Sequence, residues 1–215
     1  MIRAVLFDLD GTLLDTAPDL IGSLNYLRVS EGLSILQEAD YKHCVSRGAL
    51  GLISAGMPES SKEVYEQRKT DFLRHYEQNI FKKTRPFNGV ENMLDELDRR
   101  AIPWGIVTNK MEYLTFPLLK AAKILSRAAC VICGDTLRQS KPHPAPVLLG
   151  CEIIGSNSNQ TLMVGDDLRD IQAGNAAGTS TALATYGYLD PAVVVEDLTG
   201  SFLLSQPSDV LELLE

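Results

Sequence analysis

Five short apolar runs set the frame of this chain. They read RAVLFD (3–8), PWGIVT (103–108), ACVIC (129–133), TLMVG (161–165) and STALA (180–184). Their apolar stretches are nearly continuous, which suits strands buried on both faces. Helical patterns separate them at about 89–100, 112–123, 144–154 and 168–177. Strands alternating with helices build a parallel sheet covered on both sides. In such sheets ligands collect at the carboxyl ends of the strands.

Residues 17–82 break the alternation. Helical patterns follow at roughly 18–31, 38–55 and 60–79, with no strand evident. Thr16 can cap the first helix, Pro18 suits its first turn, and Asp19 favours its positive end. The α/β pattern resumes at TRPFNGVENML (84–94), where Pro86 and Gly89 punctuate the return. The expected organisation is an α/β core of residues 1–16 and 83–215, with an α-helical domain of 17–82 inserted after the first strand.

The 215 residues suffice for such a core and its insert. A net charge of −8 argues against nucleic acid and anionic membranes as partners. An anionic substrate would then need a local cation or a metal. No apolar run is long enough to span a bilayer, and Met1-Ile2-Arg3 leads straight into a strand with no signal peptide. Cys130 and Cys133 form a C-x-x-C inside an apolar stretch, without the second pair a zinc site needs. Reduced, buried thiols and a cytoplasmic address are expected.

Four strand ends carry polar groups. Asp8-Leu9-Asp10-Gly11-Thr12 closes the first run, with both acids on one side of the chain. The glycine comes too early for an EF-hand loop, although a polar strand cap would look similar. Val107-Thr108-Asn109-Lys110 offers a hydroxyl and backbone N–H groups that can hold phosphate oxygens, or a solvated turn. In Ser140-Lys141-Pro142-His143-Pro144, Pro142 keeps Lys141 out of the helical region, so its ammonium can point at a fixed negative centre, although an exposed lysine in a Pro-rich turn would read the same. His143, wedged between prolines, reads as structural. In Val164-Gly165-Asp166-Asp167-Leu168-Arg169-Asp170, Asp166 and Asp170 stand one helical turn apart. Stacked acids suit a hard cation such as Mg²⁺. Acids that complement a helix dipole would explain Asp167 well, but Asp166 and Asp170 less well.

The ordered set FDLDGT (7–12), VTNK (107–110), SKPHP (140–144) and VGDDLRDI (164–171) resembles the haloacid dehalogenase superfamily of phosphohydrolases. The resemblance spans nearly the whole chain. Its wording is similar to the phosphoglycolate phosphatase branch, and TRPFNG, WGIVTNK, VGDDLRDI and YGYL are similar to the N-acetylmuramic acid 6-phosphate phosphatases. The resemblance implies a Rossmann-like parallel sheet of order 3-2-1-4-5 with an inserted α-helical cap. It implies an Mg²⁺-dependent phosphomonoester hydrolase that acts on a small phosphorylated metabolite; the sequence leaves monomer and dimer both open. Asp8 is then the nucleophile and Asp10 the acid and base. Thr108, Asn109 and Lys141 bind the phosphoryl group. Asp8, the backbone carbonyl of Asp10, and Asp166 hold the ion, while Asp170 holds a water of the ion or orients Asp166. Asp15 stands outside this set, near the hinge to the cap.

Within the cap, CVSRGALGL (44–52) is the expected specificity loop, and Arg47 could grip a substrate carboxylate or simply be an exposed arginine. A phosphomutase would use the same two aspartates. A phosphonate hydrolase would need a Schiff-base lysine, for which Lys42 carries no local signal. A dehalogenase would leave Asp10 without work, and a non-catalytic binding protein would be expected to lack one of Asp8, Asp10, Lys141 or Asp166.

Overall fold

The structure is a computed structural model that describes residues 1–190 and 200–214. Six parallel strands form the central sheet: β1 (Ala4–Phe7), β4 (Trp104–Val107), β5 (Val131–Ile132), β6 (Thr161–Gly165), β7 (Ser180–Ala184) and β8 (Phe202–Leu204), in the order β5-β4-β1-β6-β7-β8. β1 lies between β4 and β6, with Phe7 abreast of both Ile106 and Val164. That register brings the ends of the three strands level.

Five strands take the expected 3-2-1-4-5 order. The sixth, β8, extends the edge beside β7 and was not expected. It has three residues, two of them exposed, too few for a readable period. A separate antiparallel pair, β2 (Leu14–Asp15) with β3 (Arg85–Pro86), links the two ends of the helical insert. At two residues each, these also left no pattern.

The sheet's pleat divides the core in two. Val5, Phe7, Ile106, Leu162 and Val164 face α5 (Val90–Arg99), against Met93, Leu94 and Leu97. Leu6, Val107 and Met163 face the opposite way, toward Val147 and Cys151 of α7 (Ala145–Ile154) and Ala173 of α8 (Leu168–Ala177). Each such Leu or Val contributes roughly 1.5–3 kcal/mol by leaving water. All four cysteines are free and buried, as expected.

The insert holds α1 (Ala17–Ser30), α2 (Glu38–Tyr41), α3 (Gly48–Gly56) and α4 (Lys62–Gln78). The single helix expected at 38–55 is broken. Residues Lys42–Arg47 wind as a 3-10 turn, and Gly48 takes φ 68°, which a side chain would resist. The break turns Ser46 and Arg47 toward the sheet. Leu24, Leu52, Ile53, Phe72 and Tyr76 build the insert's own apolar cluster, which meets Leu114 of α6 (Glu112–Ala121) and Tyr188. No helix among the described residues is long and apolar enough to cross a membrane.

Candidate active site

Residues far apart in the chain meet where β1, β4 and β6 end. Asp8 follows β1, and its N–H donates to the Val164 carbonyl at 2.8 Å. Gly11 then turns the chain at φ 89°; a Cβ there would fall 2.1 Å from Asp166 Oδ2. Only glycine lets the Asp8–Asp10 segment close so tightly over Asp166.

Asp10 is gripped from two sides. The Thr16 hydroxyl donates to Oδ1 at 2.6 Å, and Lys110 Nζ donates to both carboxylate oxygens at 3.0 and 3.1 Å. Thr16 therefore does not cap α1 with its side chain, contrary to the sequence expectation. Its hydroxyl is committed to the acid.

Asn109 fastens the end of β4 to the lysine turn. Its Nδ2 donates to the Lys141 carbonyl at 2.9 Å, and the Lys141 N–H donates to its Oδ1 at 3.0 Å. Lys141 is thereby aimed inward. Its Nζ lies 2.7 Å from Asp8 Oδ1, 2.6 Å from Asp170 Oδ1 and 2.5 Å from the Val107 carbonyl. The His143 ring accepts from the Ala145 N–H at the start of α7, a structural role as expected.

Asp166 ends β6, and Asp167 starts α8. The Asp167 N–H donates to Asp170 Oδ2 at 3.1 Å while Asp167 accepts from the Arg169 N–H at 2.9 Å. Asp170 thus serves the helix end and the site together, one oxygen to each.

Asp8, Asp166 and Asp170 each offer an oxygen within 4.8 Å of the others, and the last two are fully buried. Burial pushes the Asp166 carboxyl well above its usual range, and repulsion from Asp8 and Asp170 adds to the rise. Burial pushes Asp170 up to about 7 against the pull of Lys141. For Lys141, burial favours the neutral form, yet the charges of Asp170 and Asp8 outweigh it and hold the ammonium charged. Asp8 and Asp170 share one ammonium, and among the described residues Asp166 lies beside them without one. The residual negative charge and the all-oxygen donors fit a hard divalent cation.

The insert reaches into this centre. The Ser46 hydroxyl donates to Asp166 Oδ2 at 3.0 Å, and Arg169 donates to the Ser46 carbonyl. Tyr188 contributes its N–H to the same Asp166 oxygen at 2.9 Å. Where the helical insert joins the core, Asp15 accepts from the Tyr188 hydroxyl at 2.7 Å and pairs with Lys42 at 3.1 Å. Asp19 accepts from the N–H groups of Lys83 and Thr84, so it clips the return strand rather than only facing a dipole.

Between insert and sheet lies a cavity of about 460 Å³. Asp8, Asp10, Thr108, Asn109 and Lys141 line one end, while Leu20, Val45, Leu50, Phe72, Leu73 and Leu114 supply an apolar wall. Arg47 stands at its edge, 58% exposed and paired with Asp190. Of the site residues expected from the sequence, Asp8, Asp10, Arg47, Thr108, Asn109, Lys141 and Asp170 line this space, and Asp166 belongs to the carboxylate cluster beside it. The sequence did not point to Lys110, Ser46 or the Tyr188 N–H as partners of these acids. Lys110 could have been suspected, as a cation following a phosphate-binding pattern. Ser46 gave no signal, because 120 residues separate it from Asp166.

The family profile for haloacid dehalogenase-like hydrolases matches residues 5–184. An N-acetylmuramic acid 6-phosphate phosphatase from Pseudomonas aeruginosa is 35% identical over 216 residues, covering 100% of this chain and 95% of the relative. A phosphoglycolate phosphatase from Xylella fastidiosa is 42% identical over 186 residues, covering 86% of this chain and 81% of the relative. The crystal structure of a predicted phosphoglycolate phosphatase from Haemophilus somnus superposes with a TM-score of 0.88 at 26% identity, covering 99% of this chain and 97% of that one.

Proposed function

This chain belongs to the haloacid dehalogenase-like hydrolases, and on that premise we propose that it hydrolyses the phosphomonoester of a small metabolite through an aspartyl-phosphate on Asp8. The observation that carries this reading is the meeting of Asp8, Asp10 and Lys141 at one end of a single cavity. Asp8 attacks phosphorus in line and splits one hard hydrolysis into two easier steps. Asp10 gives a proton to the departing alkoxide, then takes one from the water that cleaves the intermediate. Such help is worth about 10²–10⁴-fold. The Thr108 hydroxyl, the Asn109 N–H and Lys141 hold the phosphoryl oxygens. Residues 17–82 act as the cap that shuts water out of the first step.

Asp8, Asp166 and the backbone carbonyl of Asp10 would hold Mg²⁺, with Asp170 orienting Asp166. When bound, the ion supplies positive charge against the phosphoryl oxygens and lessens their repulsion from Asp8. Chelation with EDTA is expected to remove activity and Mg²⁺ to restore it. The melting temperature should rise on adding Mg²⁺, since the ion relieves the crowding of three acids. A chelator-resistant enzyme would count against this ligand set. Four free, buried thiols suit a reducing cytoplasm.

For the substrate, the relatives' names offer phosphoglycolate and N-acetylmuramic acid 6-phosphate. The cavity favours the bulkier class as a second reading. Its volume and its Leu and Phe wall leave room for a sugar beyond the phosphoryl end. Phosphate release across a panel of both kinds, with kcat/KM for each, decides between them. If Arg47 grips a substrate carboxylate in place of Asp190, Arg47→Ala raises KM for carboxylate-bearing esters by about tenfold and leaves neutral sugar phosphates alone. Isomer formation without free phosphate would point to a mutase instead.

A further inference from the structure

Lys110 has no role in the reading above, yet it is the best-placed cation around the acid–base carboxylate. Its side chain is 7% exposed, and its ammonium donates to both oxygens of Asp10. The face of Tyr76, from α4 of the insert, covers the ammonium with its centroid 4.7 Å away. Tyr76 is itself fully buried, and its hydroxyl has no hydrogen-bond partner among the described residues. It therefore shields the pair from water without competing for Asp10.

Consider what Asp10 would do without this lysine. Thr16 grips one oxygen, Oδ1, at 2.6 Å. One hydrogen bond leaves the carboxyl free to swing about it. The two-oxygen contact with Lys110 removes that freedom and sets the plane of the group. Proton transfer demands such placement, because efficiency falls off quickly with misalignment.

We propose that Lys110 is the positioning residue for Asp10, and that Tyr76 keeps the pair dry when the insert is packed against the sheet. The inference rests on the hydrolase reading above. In the step it serves, the Asp8 Oδ–phosphorus bond forms and the bond from phosphorus to the leaving oxygen breaks. The electron pair stays on that oxygen, which takes the proton that Asp10 carries into the step and regains from the water that cleaves the phosphoenzyme. Lys110 exchanges nothing.

The test uses the dependence on the leaving group. An alkoxide needs a proton to depart, whereas p-nitrophenolate does not. Phosphoenzyme formation is followed in single turnovers, with Mg²⁺ present, from p-nitrophenyl phosphate and from the best alkyl phosphate of the panel. Lys110→Met should slow the alkyl ester by about tenfold or more and the p-nitrophenyl ester by less than about threefold. Lys110→Arg should recover part of the alkyl rate, because a charge at this point holds Asp10. Equal losses with both esters, or none with either, would overturn the inference. So would an Arg variant as slow as the Met variant at matched melting temperature. Absence of phosphoenzyme in the wild-type chain would instead remove the hydrolase reading on which the inference stands.

Discussion

Asp8→Asn is expected to lower turnover by about 10⁴-fold or more, the scale on which loss of a nucleophile is felt. The fold should survive. Asp8 is packed against Lys141 at 2.7 Å, and the amide oxygen of the substituted side chain can still accept that hydrogen bond. The change also removes one of three crowded acids, so the metal-free protein should melt within a few degrees of wild type. What is lost is the anionic oxygen that attacks phosphorus. The measurement is phosphate release together with acid-quenched phosphoenzyme, read beside circular dichroism. A folded variant that still turns over would remove Asp8 as nucleophile and the covalent route with it.

Lys141→Ala should strike both stability and rate. In the fold its ammonium is 2% exposed and touches Asp8, Asp170 and the Val107 carbonyl. Removing one member of a buried ionic cluster costs roughly 3–5 kcal/mol, because the remaining charges are left without compensation. Here two carboxylates lose their only ammonium partner among the described residues, and a third, Asp166, lies within 4.8 Å of both. The urea midpoint should fall accordingly in the absence of metal, and Mg²⁺ should recover part of it. kcat should drop by about 10²–10³-fold even where the variant is folded, the usual cost of deleting a donor that meets charge developing on a reacting group. Lys141→Arg should not rescue the rate, since a planar guanidinium cannot take three converging contacts around a point. Wild-type stability and rate in Lys141→Ala would dismantle the electrostatic account of the site.

Much of the site was legible from local pattern. Strand-end acids, a glycine just after them and a lysine fixed before a proline are short-range features, and the structure gathers them at the carboxyl ends of the central strands. Cross-chain partners were not legible. Lys110 reaches Asp10 across 100 positions, and Thr16, expected as a cap, instead donates to that same carboxylate. The break in the 38–55 helix escaped notice because its cause is a single positive φ at Gly48, where the apolar pattern runs on unchanged.

Sequence alone determined the parallel layering, the interruption after the first strand and the acids that stand at the strand ends, because burial on two faces and turn chemistry are written in adjacent residues. Tertiary structure alone decided which cation serves which acid, the placement of β8 on the sheet edge, and the contact of Ser46 with Asp166. Those depend on distances of a few ångströms between segments that the chain brings together only when its apolar faces close, and no local pattern encodes a distance of that kind.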